Sequence, residues 1–93
     1  MIKSKTKSGI KFQINEKIKD DTRLFQYVTE MQSDDTQTQT QALFDMLGLM
    51  FGGRQGVIAF QNEVANRHEG VCTTELLIAE LSEVLEALNL KKS

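Results

Sequence analysis

The segment Ala42-Leu43-Phe44-Asp45-Met46-Leu47-Gly48-Leu49-Met50-Phe51 constrains this chain more than any other stretch. Its apolar residues fall on every side of a helix rather than along one stripe. A helix of that kind sits in the middle of a core or lies under something that covers it. Gly52-Gly53 follow at once, and glycine readily takes the left-handed backbone that ends a helix. The run is ten residues long and contains an aspartate. It falls short of the roughly 20 apolar residues that span a bilayer. The expectation is a core helix, with the rest of the chain arranged around it.

There is little chain to do the arranging. Ninety-three residues make a single domain, 1–93. A domain of this size buries at best roughly two-thirds of its unfolded surface, so self-association or a partner would supply burial the monomer lacks. The start, Met1-Ile2-Lys3-Ser4-Lys5-Thr6-Lys7, is charged with no apolar stretch behind it, so no secretory signal is expected. A lone cysteine, Cys72, has no internal disulfide partner, which favours a reducing cytoplasmic setting.

The net charge of −2 conceals an asymmetry. Residues 1–19 carry six lysines (Lys3, Lys5, Lys7, Lys11, Lys17, Lys19) against Glu16, or +5. Residues 20–93 carry five basic and twelve acidic side chains, or −7. A basic arm of this kind binds nucleic acid, pairs with an acidic neighbour, or simply stays solvated.

Within the arm, Gly9-Ile10-Lys11-Phe12-Gln13-Ile14 alternates apolar and polar residues after the glycine, the period of a half-buried strand. Its backbone must pair with Lys3–Lys7, with another subunit, or with a partner protein. Asp20-Asp21-Thr22 then opens a first helix to about Gln32, with Leu24, Val28 and Met31 on one face. The Thr36-Gln37-Thr38-Gln39-Thr40-Gln41 repeat reads as a loop merging into the second helix. A third helix is expected from Arg54 to about Arg67, buried through Val57, Phe60 and Val64. The fourth runs from Thr74 to about Asn89 with Thr73 as cap. Leu77, Leu81, Val84, Leu85 and Leu88 form its inner stripe, and Glu75, Glu80, Glu83 and Glu86 its polar side. The fold class expected is mainly α: four helices (20–90) preceded by a basic extended arm and short strand (1–15).

Catalytic groups are scarce. His68 is the single histidine and reads as a solvent-exposed helix-end residue whose cation suits the helix dipole. Asp20-Asp21 and Asp34-Asp35 lack the spaced oxygens of a calcium loop. Phe51-Gly52-Gly53-Arg54-Gln55-Gly56 lacks the Gly-Lys-Ser/Thr ending of a nucleotide loop and follows a helix instead of a strand. No catalytic residue, metal or cofactor is assigned. A DNA-reading helix-turn-helix would need a more basic third helix than one carrying Glu63 in an acidic body. There remain Met46, Met50, Phe44 and Phe51, soft apolar side chains of the sort that receive partner helices.

The order of these segments resembles the small tail assembly chaperones of long-tailed phages of Gram-positive bacteria. The similar features are the lysine-bearing start and strand Ser8-Gly9-Ile10-Lys11-Phe12-Gln13-Ile14, and the acidic pair Asp20-Asp21. A leucine-rich helix ending in Gly52-Gly53-Arg54-Gln55, the turn Glu69-Gly70-Val71, and the Glu/Leu-rich helix from Thr73 to Leu88 complete the series. The resemblance spans nearly the whole chain. The glycine-rich turn at 52–56 and the Thr-Gln repeat depart from the family pattern. It implies a non-enzymatic protein that binds the hydrophobic, helical tape-measure protein in the host cytoplasm. Such a protein keeps its client soluble, helps recruit tail tube subunits, and is absent from the finished virion. It also implies a second, frameshifted form, with Lys91-Lys92 where the slip would fall. The partner-contacting residues expected on these grounds are Phe44, Leu47, Met50 and Phe51, with Ile10 and Phe12 of the arm, and parts of the fourth helix beside them. A homo-oligomer is compatible with this reading. A different class of function, a small nucleic-acid-binding regulator using the lysine arm, predicts salt-sensitive binding to DNA or RNA.

Overall fold

The computed structural model describes residues 1–88. Two strands, Ile2–Lys5 (β1) and Lys11–Ile14 (β2), pair antiparallel with Ile2 opposite Ile14 and Lys5 opposite Lys11. The strand predicted from its alternation therefore pairs with the N-terminal residues of its own chain. Alternation buries Ile10, Phe12 and Ile14 and leaves Lys11 and Gln13 in solvent. The turn between the strands closes through Gly9, whose φ of 99° is accessible to glycine without strain.

A 3-10 helix, Glu16–Asp20, which no apolar period marks in the sequence, leads into the helical body. Helix α1 covers Thr22–Glu30, where the Asp21 carboxylate accepts from the Arg23 amide at 2.8 Å. Leu24 is fully buried, while Val28 and Met31 pack half-buried against the core.

Helix α2 covers Thr36–Phe51, which corrects the expected loop over the Thr-Gln repeat. The repeat supplies the first turns of the helix because Asp35 caps them: its carboxylate accepts from Thr38 Oγ1 at 2.7 Å and from the Gln37 amide at 3.4 Å. Gln41 then donates to Asp45 one turn on, at 3.0 Å. A cap and a side-chain bond along the axis outweigh the modest reluctance of threonine to enter a helix.

Helices α3 (Arg54–Asn66) and α4 (Thr74–Ala87) complete the body, the latter capped by Thr73 Oγ1 accepting from the Leu76 amide at 3.2 Å. α2 lies between α1 and α3, and α4 packs on α3 and β1. One cluster of buried side chains joins the hairpin to all four helices. Among the described residues, no helix is long and apolar enough to cross a membrane. The Lys91-Lys92 pair and the expected end of the last helix near Asn89 lie outside the described residues.

The corner between α2 and α3 is built on glycine. Gly53 has φ 96° and ψ −163°, a conformation essentially reserved for glycine, and Gly52 ends α2 in the left-handed region. Gly56 lies so near the end of α2 that a Cβ there would stand 1.7 Å from the Phe51 carbonyl oxygen. The glycines of the 52–56 segment thus serve a tight helix–helix junction.

Candidate partner-binding groove

Four of the six expected contact residues are core. Ile10, Phe12, Leu47 and Met50 are 1%, 8%, 0% and 4% exposed. The reason is geometric: α2, flanked by α1 and α3 with the hairpin against it, has few free directions for Leu47 and Met50, and Ile10 and Phe12 lie on the inward face of that hairpin. Phe44 and Phe51 are half-buried. Phe51 stacks on Phe60 with ring centroids 4.7 Å apart and planes 16° from parallel, so it serves mainly to lock α2 to α3.

Ile10, Phe12 and Phe51 line one small apolar groove of about 250 Å³ with Gly56, Ala59 and Phe60, and Phe44 borders another, larger one. That groove lies between α2 and α3, with a volume of about 460 Å³. Phe44 and Gly48 form one wall, one turn apart on α2; Val57 and Ile58 form the other; Asp45, Arg54 and Gln61 supply a polar rim. Gly48 keeps it open, since nothing lies within 3.9 Å of the Cβ it lacks, the nearest atom being Val57 Cγ2. Ile58 is 44% exposed, a β-branched apolar side chain facing water. Sequence reasoning missed Gly48 and Ile58. Ile58 is off the Val57–Phe60–Val64 stripe, and that off-stripe position is the signal that marks it. The last helix, expected to contribute, supplies no residue of this groove's lining and packs instead on α3 and β1.

A second cluster ties the hairpin to the body. Arg67 donates from Nε to Ser8 O and from Nη2 to Gly9 O, each at 3.0 Å, clasping the turn. Glu83 Oε1 accepts from the Lys7 amide at 2.7 Å, and Glu80 Oε1 accepts from Ser8 Oγ at 2.8 Å. Glu80 is therefore 5% exposed, which corrects its placement on the polar side of the last helix. Its other oxygen lies 3.7 Å from His68 Nε2, an atom that is buried without a hydrogen-bond partner. His68 is thus a half-buried neighbour of Glu80 and not a solvent-facing residue. The thiol of half-buried Cys72 is raised above its ordinary pKa by burial, which disfavours the reactive thiolate. Among the described residues no three His, Cys, Asp or Glu side chains converge as metal ligands.

These carboxylates account for part of the charge asymmetry: the basic arm is held by acidic residues of α4 through its turn. The lysine side chains themselves stay in solvent. Comparison with protein-family models, with curated proteins and with solved structures finds no match to this chain.

Proposed function

We propose that this chain is a non-enzymatic chaperone that receives an apolar helical segment of another protein in the groove between α2 and α3. The observation that carries the reading is that groove: an open apolar channel whose walls are Phe44, Gly48, Val57 and Ile58, with a polar rim. A helix laid into such a channel buries side chains spaced three or four residues apart, while the rim fixes its direction.

The resemblance of the sequence to phage tail assembly chaperones supplies the client. That client is the tape-measure protein, held soluble in the host cytoplasm until tail tube subunits assemble around it. A long apolar helix exposed before assembly needs such cover, and a small domain with a spare apolar groove suits the task.

The test is co-expression with the long helical open reading frame expected downstream of the gene. The expected result is a soluble complex that survives high salt, since apolar burial is not screened by ions. Phe44→Ser and Ile58→Glu, both at the groove, should each abolish co-purification while leaving the circular dichroism of the free chain unchanged. A complex that forms equally well with both variants places the client elsewhere, and no association with any such protein removes the reading.

A further inference from the structure

The α2–α3 groove does not end at Phe44. A wider channel of about 860 Å³ lies between α1 and α2, and it shares Phe44 and Asp45 with the groove. The α2 residues that line the two follow helical spacing. Gln37, Gln41, Phe44 and Gly48 stand four, three and four positions apart, so they form one line along the helix. Gln37 and Gln41 are exposed, and Phe44 and Gly48 are half-buried beside open space. Tyr27 and Glu30 of α1 flank the first half of the line, and Val57 and Ile58 of α3 flank the second. The 16 residues of α2 rise about 24 Å, so a second helix of about four turns can lie along it.

The two halves differ in chemistry. The second is walled by apolar side chains, and the one base on its rim, Arg54, lies beyond Gly48. The first is bordered by the carboxylates of Glu30, Asp35 and Asp45, and no lysine or arginine lines it among the described residues. Asp35 is held by Thr38 and Asp45 by Gln41, both neutral partners that leave the charge uncompensated. None of the three carboxylates has a base within salt-bridge distance among the described residues.

We infer that the client helix is built in two parts: an apolar stretch over Phe44 and Gly48, and lysines or arginines continuing the same stripe over Gln41 and Gln37. The inference rests on the α2–α3 groove being the client site, and it specifies what must flank the apolar stretch. Long basic side chains suit the channel because their methylene stems lie along Tyr27 and Phe44 while the charged ends reach the carboxylates. An acidic or purely apolar continuation leaves those carboxylates opposed or desolvated without compensation.

The experiment measures binding of the full chain to three blocked helical peptides of about 16 residues. All share a leucine stripe on one half; on the other half the stripe carries lysine, glutamine or glutamate. The lysine peptide should bind about fivefold more tightly than the glutamine peptide at low salt, the worth of two partly exposed ion pairs, and the glutamate peptide more weakly still. High salt should erase the difference. Glu30→Gln/Asp45→Asn should erase it too while binding the glutamine peptide as the parent does, which also reports that the variant is folded. Glu69→Gln/Glu75→Gln, which removes the same charge away from the channel, should keep the fivefold advantage. Equal binding of all three peptides, or an advantage lost equally in both double variants, overturns the inference and leaves the groove reading standing. Self-association of the chain that is lost in Glu30→Gln/Asp45→Asn and resists the lysine peptide gives the channel to the basic arm of a second copy, and also overturns it. Binding of no peptide removes the groove reading and this inference together.

Discussion

Two glycine-to-alanine substitutions, one turn either side of the α2–α3 corner, should move stability in opposite directions. Both glycines are helical, so propensity alone predicts a gain of about 0.5–1 kcal/mol for each. At Gly48 the added Cβ meets only Val57 Cγ2 at 3.9 Å, an ordinary contact. Gly48→Ala should therefore realise the gain and raise the midpoint by about 2–8 °C for a domain of this size. At Gly56 the same methyl group would stand 1.7 Å from Phe51 O and 2.5 Å from the Phe51 carbonyl carbon. Reaching even 3.0 Å from that oxygen requires the helices to part by about 1.3 Å, and the obstacle is backbone, which cannot swing aside. Parting them also weakens the Phe51–Phe60 stack. Overpacking against movable side chains costs about 1–3 kcal/mol, so about 3 kcal/mol or more is expected here. Total stabilities run about 0.05–0.15 kcal/mol per residue, so this loss is a large share. The midpoint of Gly56→Ala should fall by about 12 °C or more in a thermal melt followed by circular dichroism. A Gly56→Ala protein melting within about 3 °C of the parent would refute the reasoning, because the corner would not then depend on that close approach.

Removing the clasp on the hairpin should loosen it selectively. Arg67→Ala deletes two bonds to the turn, and Ser8→Ala deletes the hydroxyl that satisfies buried Glu80. Each should cost about 1–3 kcal/mol and speed hydrogen exchange of the Thr6 and Ile10 amides ahead of those in α2. Acid should weaken the N-terminal ends of α1 and α2. The Arg23 side chain holds Asp21 below its ordinary pKa, and the Thr38 hydroxyl does the same for Asp35. A carboxylate with a depressed folded pKa adds stability above its unfolded value, and that stability is lost as pH falls through the folded one. Melting midpoints should therefore drop below about pH 4, and Asp35→Asn should cap α2 while removing its share of that dependence. Thr73→Ala, which removes the α4 cap, should cost about 1 kcal/mol, read as a lowered denaturation midpoint at unchanged slope.

Much of this architecture follows from local chemistry that a single sequence displays. Asp21 and Thr73 mark helix starts because a side-chain oxygen near free amides is a local device. Gly52-Gly53 mark a helix end because only the backbone's own sterics are involved. The alternation of Ile10, Phe12 and Ile14 identifies a strand with one buried face, since its period is independent of what covers it. The Thr-Gln repeat shows the limit of that locality: it carries no apolar face to mark a helix, and its helical state rests on the Asp35 cap.

Only the tertiary structure decided which apolar side chains are spare and which charged ones are buried. Leu47 and Phe44 read alike along the chain, yet one is sealed between helices and the other borders a groove. Glu80 shares the spacing of solvated glutamates, but Ser8, 72 positions away, meets it at the surface of α4 and takes it out of water. Burial depends on which distant segment arrives to cover a residue. A period along one helix specifies the direction of a side chain but not what that side chain will find there.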